Sequence, residues 1–190
     1  MTEIKRETKE TNIVCSIDLK GSGISKIDTG IGFFNHMLEA FSKHSSIDIN
    51  LTCKGDLDVD DHHSVEDCAI VLGQLLKKEI FPIQNVKRYG NATVVMDEAS
   101  VSCALDLSNR PFLVYDLPLS EKVGTFDVEL VEEFFHALVT NAGLTTHIIF
   151  ERGKNKHHII EASFKAFAVA LRRALVENKK LGIPSTKGVL

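Results

Sequence analysis

Tryptophan is absent from this chain of 190 residues, proline occurs four times, and cysteine also four times. No stretch approaches the roughly 18 consecutive apolar residues of a membrane helix, so no membrane-spanning segment is expected. Met1 to Glu10 is too charged to hold the apolar core of a signal peptide. Cys15, Cys53, Cys68 and Cys103 are scattered without any Cys-x-x-Cys, which excludes a zinc knuckle and points to reduced thiols of a cytoplasmic protein rather than a disulfide framework. There is no long Lys/Arg run and the net charge is −4, which argues against nucleic acid or an anionic membrane as the main partner. A glycine-rich phosphate loop is missing too. What remains is ordinary globular composition, 44% hydrophobic and 25% charged, enough for one substantial core.

Against that background one pattern stands out because it occurs twice. Asp61-His62-His63-Ser64-Val65-Glu66 returns nearly one hundred residues later as Lys156-His157-His158-Ile159-Ile160-Glu161. On a helix, a carboxylate three or four residues beyond an imidazole lies on the same face, so His and Glu of each motif can share an ion. Imidazole plus carboxylate without thiolate suits a borderline or hard divalent cation such as Mn, Fe or Zn. Two adjacent imidazoles diverge by roughly 100° on a helix, so each member of a pair is expected to serve a different metal. An ungapped alignment of the upstream segments pairs Met37 to Phe41 with Phe134 to Leu138, and Ile47 with Leu144. The chain therefore reads as an internal duplication, about 1–86 and 87–190 of a single domain. His36 then falls opposite Glu133, and the candidate metal ligands are His36, His62, His63, Glu66, Glu133, His157, His158 and Glu161.

Periodicity supplies the frame. Thr11 to Leu19 alternates as a half-buried strand, and Gly21-Ser22-Gly23 reads as the turn of a hairpin into a second short strand. A helix is expected from about Phe33 to Lys43, then a strand through Ile47, Ile49 and Leu51, then a helix carrying the stripe Val65, Cys68, Leu72, Leu75 and Leu76. The second half repeats this order, with strands near Asn91 to Asp97, Val101 to Leu107 and Thr145 to Phe150. Three strands and two helices per half predict an α+β architecture, helices on one face of a sheet, used twice. His147 is expected in core or interface packing, and Asp61 and Asp67 are candidates to orient imidazole N–H groups or are simply acids at a helix N-terminus. Arg88, Arg110, Lys165, Ser185 and Lys187 are the candidate groups for an anionic ligand.

The motifs Gly30-Ile31-Gly32-Phe33-Phe34-Asn35-His36-Met37-Leu38, Asp61-His62-His63-Ser64-Val65-Glu66-Asp67, Gly153-Lys154-Asn155-Lys156-His157-His158-Ile159-Ile160-Glu161-Ala162 and Pro184-Ser185-Thr186-Lys187-Gly188 resemble those of the imidazoleglycerol-phosphate dehydratases of histidine biosynthesis, across essentially the whole chain. The resemblance implies a duplicated fold like domain 2 of ribosomal protein S5. It also implies Mn2+, two ions per subunit, and a homo-oligomer, a 24-mer, whose metal sites are completed between subunits. It carries the metal ligands onto the set above; many relatives have His where this chain has Glu133, which leaves His136 as the substitute. Substrate contacts carry over to Glu10, His36, His44, His62, Glu66, Arg88, Arg110, His157, Glu161, Lys165, Ser185 and Lys187, the phosphate meeting the last basic and hydroxyl groups. Glu10, Glu161 and His44 are the candidate catalytic groups. In the implied reaction no carbonyl acidifies the carbon that loses its proton, so the imidazole ring must relay electrons. Metal charge on its nitrogens stabilises an imidazolate, which expels the neighbouring hydroxyl to give a diazafulvene, then an enol and finally imidazole acetol phosphate. The bare pattern also fits a two-metal phosphohydrolase or a metal-storage module.

Overall fold

In the computed structural model, which describes residues 1–188, period-two alternation along Thr11–Asp18 (β2) buries Ile13, Cys15 and Ile17. Around it assemble Thr2–Glu7 (β1), Ser25–Asp28 (β3) and Asp48–Gly55 (β4), in the order β1-β2-β4-β3. The second half builds a sheet of the same plan from Tyr89–Met96 (β5), Ala99–Asp106 (β6), Phe112–Asp116 (β7) and Thr145–Arg152 (β10), in the order β5-β6-β10-β7. In each sheet the late-paired edge strand runs parallel to its neighbour, β3 to β4 and β7 to β10, while the other pairings are antiparallel. A short ladder of Lys122–Val123 (β8) and Phe126–Asp127 (β9) is an insertion that the first half lacks. The α+β architecture and its duplication are thus present.

Each half has two helices, Gly32–Ser45 (α1) and His62–Ile80 (α2), then Glu129–Ala142 (α3) and Lys156–Ala174 (α4). Helices of one half pack on helices of the other, α2 on α3 and α1 on α4. Phenylalanines fill the seam: Phe34 meets Phe134 at 5.5 Å, Phe41 meets Phe167 at 5.7 Å, and Phe134 stacks on Phe164 at 5.0 Å between ring centroids. All six of Phe34, Phe41, Phe134, Phe135, Phe164 and Phe167 are buried. The seam makes the two halves mutually dependent, because the helix faces turned from their own sheet are covered across it, α1 by α4 and by Phe134 of α3, and α2 by α3.

Two expectations need correction, and a third is narrowed. The Gly21-Ser22-Gly23 turn does not close a hairpin: β4 lies between β2 and β3, and the amides of Ser22 and Ile24 bind the Asp48 carboxylate at 2.8 Å each. Each sheet has four strands rather than three, with β1 and β7 added at its edges. β1 offers Ile4 as its one apolar residue, so no alternation announces it. Of the two places open to His147, the core is ruled out and the interface is left, since period two on β10 points it away from the buried Thr146 and Ile148.

Strand β5 rests on α4 so closely that a Cβ on Gly90 would run into the Ala170 carbonyl oxygen and come within 2.8 Å of the Ala174 nitrogen. Gly90→Ala should therefore push α4 off its sheet and cost about 1–3 kcal/mol. Gly32, whose added Cβ meets nothing within 4 Å, is the control. Thermal unfolding should show a Tm lowered by roughly 2–10 °C for Gly90→Ala and no loss for Gly32→Ala.

Candidate active site

The two His-His-x-x-Glu motifs form the first turns of α2 and α4. Different caps hold those turns. Asp60 Oδ1 accepts from the His62 amide at 2.8 Å, whereas Asn155 Oδ1 caps α4, accepting from the amides of His157 at 3.0 Å and His158 at 3.4 Å. Adjacent imidazoles have their ring planes almost perpendicular, 89° for His62 and His63 and 83° for His157 and His158, with centroids 6.2 Å apart, and they meet different partners. Each pair is thereby split between two directions.

In the first direction, donors gather. His36 from α1 joins His157 and Glu161 from α4: Glu161 Oε2 lies 3.2 Å from His36 Nε2 and 3.1 Å from His157 Nε2. Its other oxygen takes the Lys165 ammonium at 2.6 Å. Burial pushes the Glu161 carboxyl upward, but Lys165 and the two imidazoles outweigh it and hold the group below the usual carboxylate range. The second gathering joins His62 and Glu66 of α2 to Glu133 of α3, with 3.7 Å between His62 Nε2 and Glu66 Oε2. In both groups the three ligand atoms lie within 4.8 Å of one another. They are equivalent by the duplication, His62 with His157, Glu66 with Glu161, and Glu133 with His36. His136 is exposed and stands outside the second group.

In the second direction, His63 and His158 stand apart from both groups. The Nδ1 of His63 is 3.0 Å from Asp56, and its Nε2 is 3.8 Å from Glu10 at the β1–β2 tip. The Nδ1 of His158 is 2.8 Å from Glu98, and its Nε2 is 3.8 Å from Asp97 at the β5–β6 tip. Asp56 raises the proton affinity of His63. Glu98 is lowered to about 2 by the Asn155 amide, His158 and the Lys154 amide. Neither Asp61 nor Asp67 contacts an imidazole among the described residues, so the orienter alternative is set aside, and Asp61 is the acid at the N-terminus of α2. Asp67 binds the Arg6 guanidinium at 2.8 Å and the Thr11 hydroxyl at 2.5 Å, and Asp61 lines a cavity with His62, Lys122 and Asp127. Asp56 and Glu98, which face the imidazoles, escaped the sequence reading because one ends a strand and the other sits in a turn far from its histidine.

Arg88, Arg110, Ser185 and Lys187 line one cavity of about 540 Å³ with Ser108 and Asn109. Arg88 is buried in its wall, its fork on Asp106 at 2.7 and 3.0 Å and its Nη1 on the Pro184 carbonyl at 2.7 Å. It thereby ties the C-terminal segment to the sheet. Arg110 and Lys187 make no ion pair among the described residues, so their charges remain available. Lys165, nominated with them, sits instead on Glu161. His44, in the last turn of α1, is lowered in proton affinity first by burial and then by Lys165 and Arg172.

A profile of the family described as imidazoleglycerol-phosphate dehydratase matches residues 29–171. Relatives of that description include those of Aliarcobacter butzleri, 74% identical, and Campylobacter fetus, 63% identical, each over 190 residues and the whole of both chains. Among solved structures, the imidazoleglycerol-phosphate dehydratase of Staphylococcus aureus superposes with a TM-score of 0.82 at 47% identity, covering 93% of this chain and 100% of its own. The Pyrococcus furiosus protein, solved in complex with (S)-C348, superposes at 0.85 with 37% identity, covering 98% and 100%.

Proposed function

From the premise that this chain belongs to the imidazoleglycerol-phosphate dehydratase family, and is thus a hydro-lyase of histidine biosynthesis, we propose that it converts D-erythro-imidazoleglycerol phosphate to imidazole acetol phosphate with manganese, two ions per subunit. The observation that carries the metal dependence is the pair of equivalent three-donor groups. Their chemistry suits a manganese-like cation, being imidazole and carboxylate with no thiolate. His36, His157 and Glu161 would hold one ion, and His62, Glu66 and Glu133 the other. Bound there, the ions would supply Lewis-acid charge that stabilises negative charge on the substrate's imidazole ring.

The remaining roles fall to the chain's own side chains. Arg110 and Lys187 bind the phosphate, with Ser185 donating a hydroxyl hydrogen bond and Arg88 shaping the cavity. Lys165 keeps Glu161 ionised. Glu10, exposed at a hairpin tip beside His63, gives a proton to the departing hydroxyl, so that water leaves, and then takes the acidified carbon-bound proton, so that an enol remains to become the ketone. His44, its proton affinity lowered by burial and then by Lys165, is the second group able to carry a proton. His63 and His158 lie outside both donor groups, and their proposed place is in the sites of neighbouring subunits of a homo-oligomer, the 24-mer. The four cysteines, free and buried, suit a cytoplasmic protein, a single domain of two repeats dividing near residue 86.

Purified protein incubated with substrate should form imidazole acetol phosphate with Mn2+ present and none with chelator; release of inorganic phosphate instead would favour a two-metal phosphohydrolase. In the same assay Arg110→Ala and Lys187→Ala should raise KM by roughly tenfold or more, as loss of a charge-assisted hydrogen bond of about 1.5–3 kcal/mol requires. They should leave the affinity for an imidazole lacking phosphate unchanged. Equal losses for both ligands would contradict the phosphate role.

A further inference from the structure

His63 and His158 occupy equivalent places in the two halves, and each has its Nδ1 against a carboxylate, yet the two carboxylates are not equivalents. Asp56 follows the end of β4, while Glu98 lies in the turn between β5 and β6. A copied packing detail would have been inherited from the same loop in both halves. The same contact reached from different loops is what a shared requirement on the imidazole would leave. A carboxylate can only accept, so the Nδ1 facing it must carry the proton, and a neutral ring then has its lone pair on Nε2.

Glu98 does more than touch the ring. Its Oε1 accepts from the backbone amides of Lys154 at 3.1 Å and Asn155 at 2.7 Å, while its Oε2 faces His158 Nδ1 at 2.8 Å. The loop it holds is pressed onto the neighbouring Ala99, where a Cβ on Gly153 would come within 3.0 Å of the Ala99 side chain, and Gly153 has a φ of 146°. One carboxylate therefore sets both the start of α4 and the face of the imidazole. We propose that Asp56 and Glu98 are positioning residues that fix His63 and His158 with Nε2 free to donate, aimed outward toward an ion that the subunit's own three-donor groups do not share with them. The inference rests on the metal reading above and names residues that act on it through the histidines.

The two carboxylates predict different responses to the amide isosteres. In Glu98→Gln the carbonyl oxygen stays with the two backbone amides, so the NH2 faces Nδ1 and donates to it, driving the ring proton to Nε2. In Asp56→Asn both oxygens of the original group lie near Nδ1, at 3.0 and 3.2 Å, so the amide can turn its oxygen to the ring and keep the tautomer. Solid-state 15N spectra of histidine-labelled, metal-free protein should show one more Nε2–H imidazole in Glu98→Gln than in wild type, and none in Asp56→Asn. Competition with a chelator should give Mn2+ affinity weakened by roughly 10–100-fold for Glu98→Gln and Asp56→Ala, and little changed for Asp56→Asn. Circular dichroism and Tm of Glu98→Gln should match wild type. Wild-type affinity in Glu98→Gln, or an unchanged tautomer, overturns the inference, and so does an Asp56→Asn as weak as Asp56→Ala. Failure of the wild-type protein to bind Mn2+ at all would instead overturn the metal reading on which it rests.

Discussion

Replacing His62 or His158 by alanine is expected to abolish turnover while leaving the protein folded. His62 is one of three donors in its group, and His158 is one of the two imidazoles held outward by a carboxylate. On the proposed metal reading, removing either would leave an ion short of a ligand and lose several kcal/mol of charge stabilisation at the substrate ring. At about 1.4 kcal/mol for each factor of ten, that is on the order of a 10³-fold fall in kcat/KM. Folding is spared because neither ring is part of the phenylalanine seam; the His62 side chain is 44% exposed and that of His158 is 24% exposed, so truncation opens no core cavity. Elemental analysis of each variant, run beside kinetics and circular dichroism, is the check. A variant that has lost its metal but keeps wild-type turnover would remove the metal from the reaction, and one with full metal and full turnover would remove the residue from the ligand set.

The duplication and the recurring histidine motif were open to sequence reasoning because both are local: a heptad-scale stripe and a five-residue pattern repeat intact. Strand pairing was not local. Gly21-Ser22-Gly23 signals a reversal, but nothing in those residues tells that β4, more than twenty residues on, inserts beside β2 and lends Asp48 to tie the turn down. Strand β1 was missed because an edge strand with one covered face needs little apolar content, and Ile4 alone meets the core. His147 was left between core and interface, since alternation along β10 already assigned it to the outer face and the apolar company of Ile148 and Ile149 obscured that. Among the site groups, the register of the duplication brought Glu133 opposite His36, and the structure places each beside the matching helix's His and Glu. Arg88 was legible as a cation near the anion cavity but not as a buried strut, because Asp106 and Pro184 approach it from 18 and 96 residues away. Glu98 shares that obstacle, being 60 residues from His158, whereas Asp56 lies only seven residues before His63 and was hidden among the other acids of its loop.

Chelation is expected to loosen the assembly, and manganese to restore it. Each donor group within one chain offers three ligands, from His36, His157 and Glu161 or from His62, Glu66 and Glu133. The two spare imidazoles, His63 and His158, stand outside both groups, so on the proposed reading an ion that takes one of them as well would sit between subunits. Such an ion binds the assembled state better than the separated one, and by mass action it stabilises assembly by about 2.7 kcal/mol per site when its concentration is a hundred times the dissociation constant. With the two ions per subunit proposed above, removing them should shift the distribution toward smaller species. Sedimentation velocity on one preparation, first with Mn2+, then with excess chelator, then with Mn2+ returned above the chelator, reads this directly. The expected record is a large species, a smaller one, and the large one again. In His63→Ala,His158→Ala protein the large species should form poorly at any manganese concentration, whereas His36→Ala should still respond through its intact second group. An unchanged sedimentation coefficient in all three conditions would mean that protein contacts alone hold the oligomer, and that the spare imidazoles do not bridge subunits.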